Sequence, residues 1–349
     1  MSPLDSLGTR PAPTVARSRA KAEDTVRWRV GDAAKATWQG LAARKGTVIV
    51  EGKPVTAAVV QADALRWMRA IPSDSIHAIV TDPPYGLVEY EEKNHAKLRS
   101  GRGGIWRIPP SFDGAQRAPV PRFTVLTSDD RKRLEAFFGK VARRALRVLV
   151  PGGHLIIASN PLLSSATFAA FERAGFEKRG EIIRLTQTLR GGDRPKGAEE
   201  EFSGVSVMPR SGWEPWGLFR KPISEPTVAA NLRRWGTGGL RRVSSIEPFR
   251  DVIRSGPTRE AERKLSPHPS LKPQAFMRAV VRGMLPIGAG LVYDPFTGGG
   301  STLAAAHHLD LPSIGTEMDA EYAALAAAAI PRLSAFEPPP STINEHDAR

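Results

Sequence analysis

Short apolar runs and amphipathic stretches alternate along most of the chain, and the alternation itself predicts the elements. Residues 57–62 are small, β-branched and apolar, as in a buried strand, and residues 63–70 read as a short helix. Residues 76–81 predict a second strand, which ends on Asp82-Pro83-Pro84-Tyr85. Residues 86–127 are rich in Gly, Pro and Arg and carry no period. From Ser128, a residue able to cap a helix, Leu134, Phe137, Phe138, Val141, Ala145 and Leu149 recur at helical spacing, and Pro151-Gly152-Gly153 is expected to stop that helix. A strand (154–159), a helix (162–174) and a strand (176–185) follow. Residues 186–267 interrupt the pattern with many Gly and Pro, three of the seven tryptophans (Trp213, Trp216, Trp235) and two arginine pairs. Within them 205–208 and 216–220 keep strand character. Alternation then resumes as helix (272–285), strand (290–293), glycine turn, helix (301–309), strand (312–316) and helix (320–333). The Ala-, Arg- and Pro-rich residues 1–46 lack sustained periodicity. They predict a mobile basic arm with at most a short helix near Trp38, closer to a dispensable tail than to a phosphate-binding arm.

Repeated strand–helix alternation predicts an α/β fold: a doubly wound, Rossmann-like, mostly parallel sheet with helices on both faces. Ligands of such sheets bind beyond the carboxyl ends of the strands, at the topological switch point. The 349 residues suffice for one large domain with an insert, or two domains. No apolar run approaches the roughly 18 residues of a spanning helix, and residues 1–21 contain no apolar signal core, so a cytoplasmic location is expected, with no membrane partner. The absence of cysteine excludes disulfides, thiolate metal sites and cysteine nucleophiles, and the seven scattered histidines suggest no metal centre. Charge changes the picture most: a formal +14 points to a polyanionic partner.

Two turns directly after buried strands carry unusual chemistry. Asp294-Pro295-Phe296-Thr297-Gly298-Gly299-Gly300-Ser301 follows one strand and opens a helix, where glycines admit a ligand to the backbone and the helix start offers free N–H groups. Gly300 stands where a phosphate loop needs lysine, so a polyphosphate is disfavoured. Glu317 ends the next strand, about 20 residues on, where a carboxylate suits a ribose hydroxyl pair. Together these suggest an adenosine-containing ligand. In Asp82-Pro83-Pro84-Tyr85, two prolines remove two N–H donors and stiffen a turn rich in acceptors. A carboxylate, free carbonyls and an aromatic face suit an exocyclic amine on a planar base.

These residues resemble the amino-methyltransferases of DNA, whose catalytic signature is Asp/Asn/Ser-Pro-Pro-aromatic and whose cofactor signature is Phe-x-Gly-x-Gly, matched by Phe296–Gly300. The order of the motifs is similar to the circularly permuted β class, and His268-Pro269-Ser270-Leu271-Lys272-Pro273 resembles that class's segment ahead of the cofactor turn, which contacts the methionine part. The resemblance spans roughly residues 57–185 and 266–333. It implies a seven-stranded methyltransferase sheet and S-adenosylmethionine as cofactor, held by Lys272, Pro273, Asp294, Pro295, Phe296, Gly298, Gly300, Ser301, Thr302, Glu317 and Met318. Asp63 falls where the family places an adenine-recognising carboxylate, though it reads equally as a helix N-cap. The implied catalytic residues are Asp82, Pro83, Pro84 and Tyr85.

The chain then divides into a basic arm (1–46), a catalytic half (47–185), a target-recognition insert (186–265), a cofactor-binding half (266–335) and a disordered tail (336–349). The implied reaction is direct methyl transfer to a base flipped out of double-stranded DNA. Asp at the first motif position goes more often with N6-adenine, Ser with N4-cytosine, and C5-cytosine methylation is excluded because it needs a cysteine. Residues 186–264 carry 15 Lys+Arg and 10 Asp+Glu, a net of 15 − 10 = +5, and with loop 86–122 are expected to read the target. Arg233, Arg234, Arg241 and Arg242 are the candidate nucleic-acid contacts; Trp213 and Trp216 read at least as well as core. The family resemblance allows a homodimer and a cognate restriction or defence partner, and implies a nucleoid-associated enzyme. RNA methyltransferase, protein-glutamine methyltransferase and inactive DNA-binding readings remain as rivals.

Overall fold

The computed structural model describes residues 13–50, 57–85, 127–186 and 194–338, apart from 196, 208 and 210. The loop 86–122 and the end of the tail fall outside the described residues.

Among the described residues, nine strands form one sheet in the order β1-β2-β9-β8-β3-β4-β6-β5-β7. They are β1 (Thr47–Val50), β2 (Ala57–Gln61), β3 (Ile76–Thr81), β4 (Leu149–Ala158), β5 (Glu177–Leu185), β6 (Trp213–Arg220), β7 (Val252–Arg254), β8 (Val292–Asp294) and β9 (Ser313–Glu317). The neighbours from β2 through β4 run parallel, while β6 is antiparallel to both β4 and β5. The expected seven strands are the central seven; short β1 and β7 extend the two edges. All six residues of β3 are buried, as a strand covered on both faces requires.

Helices α1 (Pro13–Ala42), α3 (Ser128–Val148) and α4 (Ser164–Arg173), with the short α2 (Ala64–Trp67), contribute to a core on one face. The other face is covered by α7 (Gln274–Met284), α8 (Ser301–His308) and α9 (Ala320–Ala335). Two further helices, α5 (Val228–Trp235) and α6 (Glu260–Leu265), lie between β6 and α7 in the chain. The chain leaves β3 towards β4 but leaves β8 towards β9, so the topological switch point lies between the adjacent strands β3 and β8.

Four expectations need correction. The N-terminal arm is a 30-residue helix that packs on the domain: Val30, Ala34 and Leu41 are buried, and Trp38 Nε1 donates to Ser313 O at 2.8 Å. Spacings of four, four and three residues put these side chains on one helical stripe, which the Ala/Arg-rich composition hides. The cap of α3 is Thr127 rather than Ser128, through a reciprocal capping box with Asp130. Pro151, Gly152 and Gly153 do not end that helix; it ends at Val148, where Leu149 turns extended, and all three lie inside β4 beside a register shift in the β3–β4 pairing. Of the two runs with strand character inside 186–267, 216–220 is indeed strand, as part of β6 from Trp213 with Trp216 fully buried, whereas 205–207 form no strand and Met208 lies outside the described residues.

Candidate active site

The two motif turns leave the carboxyl ends of neighbouring strands and are bonded to each other. Thr81, the last residue of β3, donates through Oγ1 to Asp294 Oδ1 at 2.7 Å, and the same oxygen accepts from Phe296 N at 3.0 Å. Burial pushes the Asp294 carboxyl up to about 6, against the opposing hydrogen bonds of Thr81 and Thr302; the nearby Asp82 adds to the rise. The glycine turn is also pinned to β9, since Thr297 N donates to Thr316 O at 3.0 Å and Thr316 Oγ1 to Pro295 O at 2.9 Å. Gly298 and Gly300 sit at φ of 50° and 87°, the left-handed region open to glycine. Glu317 bonds back to this turn: Oε2 accepts from Gly298 N at 2.9 Å and Oε1 from Asp319 N at 3.0 Å.

The segment 268–273 closes the third side. Lys272 N donates to Ser301 Oγ at 3.1 Å, while His268 packs against Gly298 and Gly299 and stands edge-on to Tyr322. Burial lowers the His268 imidazole to about 4, so it is neutral near pH 7. Pro273 caps α7, Ser301 and Thr302 are buried in the first turn of α8, and Pro295 is buried beneath it. Met318 is 61 % exposed beside Glu317. Asp63 is the N-cap of α2, accepting from Arg66 N at 2.6 Å; it follows β2, whose Gln61 pairs with Glu317, so it lies at the same end of the sheet.

The Asp82–Tyr85 turn meets a charge cluster that the motifs alone do not reveal. Lys272 Nζ forms an ion pair with Asp82 Oδ2 and lies 3.4 Å from Glu214 Oε1. Tyr85 OH donates to that same Glu214 oxygen. Glu214 Oε2 is held by Arg184 NH1 at 2.8 Å and Trp216 Nε1 at 3.4 Å. Lys272, a cofactor candidate, thus lies against Asp82 of the other motif turn. Burial raises the Asp82 carboxyl; the Lys272 ammonium opposes that rise and Glu214 reinforces it. Glu214 is driven down to about 2: burial pushes it up, but Lys272 and Arg184 together with the Tyr85 and Arg184 hydrogen bonds outweigh that. Asp82 Oδ1 is buried and has no hydrogen-bond partner among the described residues. Glu214, Arg184 and Thr81 were missed by motif reasoning; the one available signal was a glutamate set between Trp213 and Trp216 in a strand-forming run.

The four candidate DNA-contacting arginines are not brought to this site. Arg233 and Arg234 end α5, whose Asn231 donates to Pro151 O at 3.0 Å, near the amino end of β4. Arg241 N donates to Gly283 O at 2.9 Å and its guanidinium packs on Gly288, ahead of β8. Arg282 NH1 donates to Arg242 O at 2.7 Å. All four lie towards the amino ends of the strands, opposite the motif turns. Among the described residues no group of acids and histidines could hold a metal, and no helix is long and apolar enough to cross a membrane.

Comparison with known proteins fits this geometry. The chain is 24% identical over 283 residues to the type II methyltransferase M.HindIII of Haemophilus influenzae, covering 74% of this chain and 90% of that protein. Its fold is similar to that of the cytosine-N4-specific PvuII DNA methyltransferase, with a TM-score of 0.50 at 16% identity over 83% of this chain and 89% of that one. A putative DNA modification methylase of Thermus thermophilus, solved with S-adenosyl-L-methionine, aligns with a TM-score of 0.49 at 21% identity, over 80% and 95% of the two chains. A family model of DNA methylases matches residues 76–328, from the first residue of β3 into α9, and the chain belongs to that N6/N4 DNA methylase family.

Proposed function

We propose that this DNA methylase transfers a methyl group from S-adenosylmethionine to the exocyclic N6 of an adenine flipped out of double-stranded DNA. The observation that carries the reading is Asp82 Oδ1: a buried acceptor without a described partner, on a turn with two prolines, joined through Thr81 to the glycine turn. A buried acceptor left unpaired is costly, and an incoming amine N–H repays it.

The residues present suit the cofactor. The left-handed glycines at the start of α8 open the backbone, and each Glu317 oxygen, having accepted one N–H, keeps a second lone pair for a hydroxyl. Phe296 offers a half-buried ring, and Asp63 and Met318 lie at the same strand ends. When bound, the cofactor supplies an electrophilic methyl on a sulfonium. The chain's own part is orientation and charge. An exocyclic amine is a weak nucleophile because its lone pair is delocalised into the ring. Hydrogen bonding to Asp82 makes the nitrogen more tetrahedral and aims the lone pair, and the carboxylate stabilises the positive charge that develops there. Its burial-raised pKa makes it a better acceptor for the departing N–H proton than an exposed carboxylate. Tyr85, half-buried on the same turn, offers a stacking face for the base. Asp rather than Ser at position 82 supports adenine over cytosine. The basic surface supports DNA as the polyanion, and a paired restriction nuclease would give the modification a purpose.

The test is to incubate the protein with mixed-sequence DNA and methyl-labelled S-adenosylmethionine, digest to nucleosides and identify the labelled one, with Asp82→Ala as control. Label on N6-methyladenosine, lost in the variant, is the expected result. Label on N4-methylcytidine would overturn the base assignment and keep the chemistry; an unlabelled DNA pool would overturn the reading.

A further inference from the structure

Lys272 stands between two carboxylates with different tasks. It is paired to Asp82 Oδ2, and its ammonium is 3.4 Å from Glu214 Oε1. The three side chains are nearly enclosed, with 10 % of Lys272, 16 % of Asp82 and 13 % of Glu214 exposed. Glu214 is rigidly held. Its Oε2 accepts from Arg184 NH1, and Arg184 is itself anchored by Ser255 Oγ at 3.0 Å and Gly256 O at 3.1 Å, with its guanidinium 5.3 Å from the Phe276 ring centre. Glu214 also sits on β6, which is hydrogen-bonded on both sides within the sheet. Lys272, by contrast, carries its charge on a flexible four-carbon stem. Counted together, the carboxylates Asp82 and Glu214 match the cations Lys272 and Arg184 in number.

Methyl transfer upsets that balance at one atom. The attacking amine becomes cationic while still bonded to Asp82, and an ammonium on the same carboxylate would repel it across a few ångströms of low-dielectric interior. We propose that Glu214 is a positioning residue for the reaction: it gives Lys272 a second anionic partner, so that the lysine moves off Asp82 when the target amine arrives and returns when the product leaves. This inference rests on the methyl-transfer reading above. In the free protein the lysine neutralises a buried catalytic carboxylate; in the loaded site Glu214 holds that charge aside, with Tyr85 OH bonded to the same oxygen.

The charged and titratable groups facing Asp82 are Lys272 ahead of α7, Glu214 on β6, Tyr85 on the same turn and Asp294 on β8, with Arg184 of β5 behind Glu214. Their signs make a pH readout. Removing the Glu214 charge removes a like charge and leaves Lys272 wholly on Asp82, and both changes lower the Asp82 pKa. The acid limb of kcat/KM for DNA therefore moves to lower pH in Glu214→Gln, and to higher pH in Lys272→Met, which removes the opposing cation.

The experiment has two arms. In the kinetic arm, Glu214→Gln lowers kcat by about tenfold to a hundredfold, keeps the Kd for S-adenosylmethionine within about twofold by calorimetry, and shifts the acid limb downward; Glu214→Asp restores part of the loss. Unchanged kcat with an unmoved limb, or a loss of amplitude with no movement of the limb, would overturn the proposal. The second arm needs no turnover: a crystal structure of Asp82→Asn should show the Lys272 ammonium closed onto Glu214 at hydrogen-bond distance. A lysine turned out to solvent there would overturn it equally. If the wild-type protein labels no DNA, the methyl-transfer reading falls on that result alone, and the crystal arm still decides whether Glu214 accepts the lysine.

Discussion

Asp82 supplies its acceptor from a turn that cannot easily rearrange, so its substitution should separate chemistry from binding. Asp82→Asn keeps the shape but removes the charge that meets the developing cation. Methyl transfer should fall by about a hundredfold to a thousandfold, while S-adenosylmethionine binding by equilibrium dialysis stays within several-fold. Gly315 gives a prediction of the opposite kind. A Cβ there would lie 2.1 Å from Thr297 Oγ1 and 3.2 Å from Asp294 O, so Gly315→Ala must push the glycine turn off β9. Overpacking of this kind costs about 1–3 kcal/mol, and the displaced turn should weaken cofactor binding measurably more than Asp82→Asn does; equal binding in both variants would sink the assignment. What was legible at this scale was whatever chemistry sits in one contiguous turn. Asp82–Tyr85 and Asp294–Ser301 announce themselves because prolines and glycines there have no other use. Glu214 does not, because its meaning depends on a partner: Tyr85 is 129 positions away, and Lys272 reaches Asp82 across 190. No local pattern encodes such a pairing before the sheet is assembled.

At the level of elements, the two central strands carry an acid-sensitive pair of histidines. His77 on β3 and His154 on β4 are both buried, and desolvation lowers their imidazoles from 6.5 to about 4 and about 3. His77 Nδ1 accepts from Leu291 N at 3.2 Å, which requires the neutral ring. Below pH 6.5 the unfolded chain takes up protons that the folded chain refuses, so stability falls with decreasing pH until the folded values are reached. Each histidine should cost on the order of 3 kcal/mol between pH 6.5 and 4. Urea unfolding at pH 7 and pH 4.5 checks this: His154→Leu should flatten the slope, and an unchanged slope would mean that the ring is solvated. The strands themselves were largely legible, since a strand buried on both faces reads as a mostly apolar run, as Ile76–Thr81 does apart from His77 and Thr81. The same logic failed where composition masked geometry. Pro151-Gly152-Gly153 looks like punctuation, yet the close approach of Gly153 to Val150 O and His77 O, 2.9 and 3.1 Å from a Cβ, shows why a strand needs a glycine there. β6 was read partly as insert because two tryptophans and a glutamate resemble a recognition surface as much as a core.

Across the whole molecule, the motif turns and the arginine pairs 233–234 and 241–242 lie at opposite ends of the sheet, and α1 reaches the amino end. Trp38 Nε1 bonds to Ser313 O at the start of β9, and Arg29 NH2 donates to the last carbonyls of α5, Arg233 O at 2.6 Å and Arg234 O at 2.9 Å. Those are the carbonyls a helix leaves unsatisfied at its end. Val30 packs close to Gly236, the left-handed cap of the same helix. The N-terminal segment is thus a strut spanning β9 and α5. Two accounts of residues 1–42 predict different losses on deletion. As a phosphate-gripping arm it would contribute its seven Lys+Arg against four Asp+Glu, a net of 7 − 4 = +3. Its removal would then flatten the log–log salt dependence of DNA binding by about two to three units and leave Tm in place. As a strut it buries Val30, Ala34 and Leu41 and satisfies the end of α5. Its removal should then cost on the order of 3 kcal/mol, seen as a Tm lower by several degrees, with the salt slope within about one unit of the full chain. The second outcome is expected, because the hydrogen bonds of Arg29 and Trp38 run to the end of α5 and the start of β9, not to the motif turns at the carboxyl ends of β3 and β8.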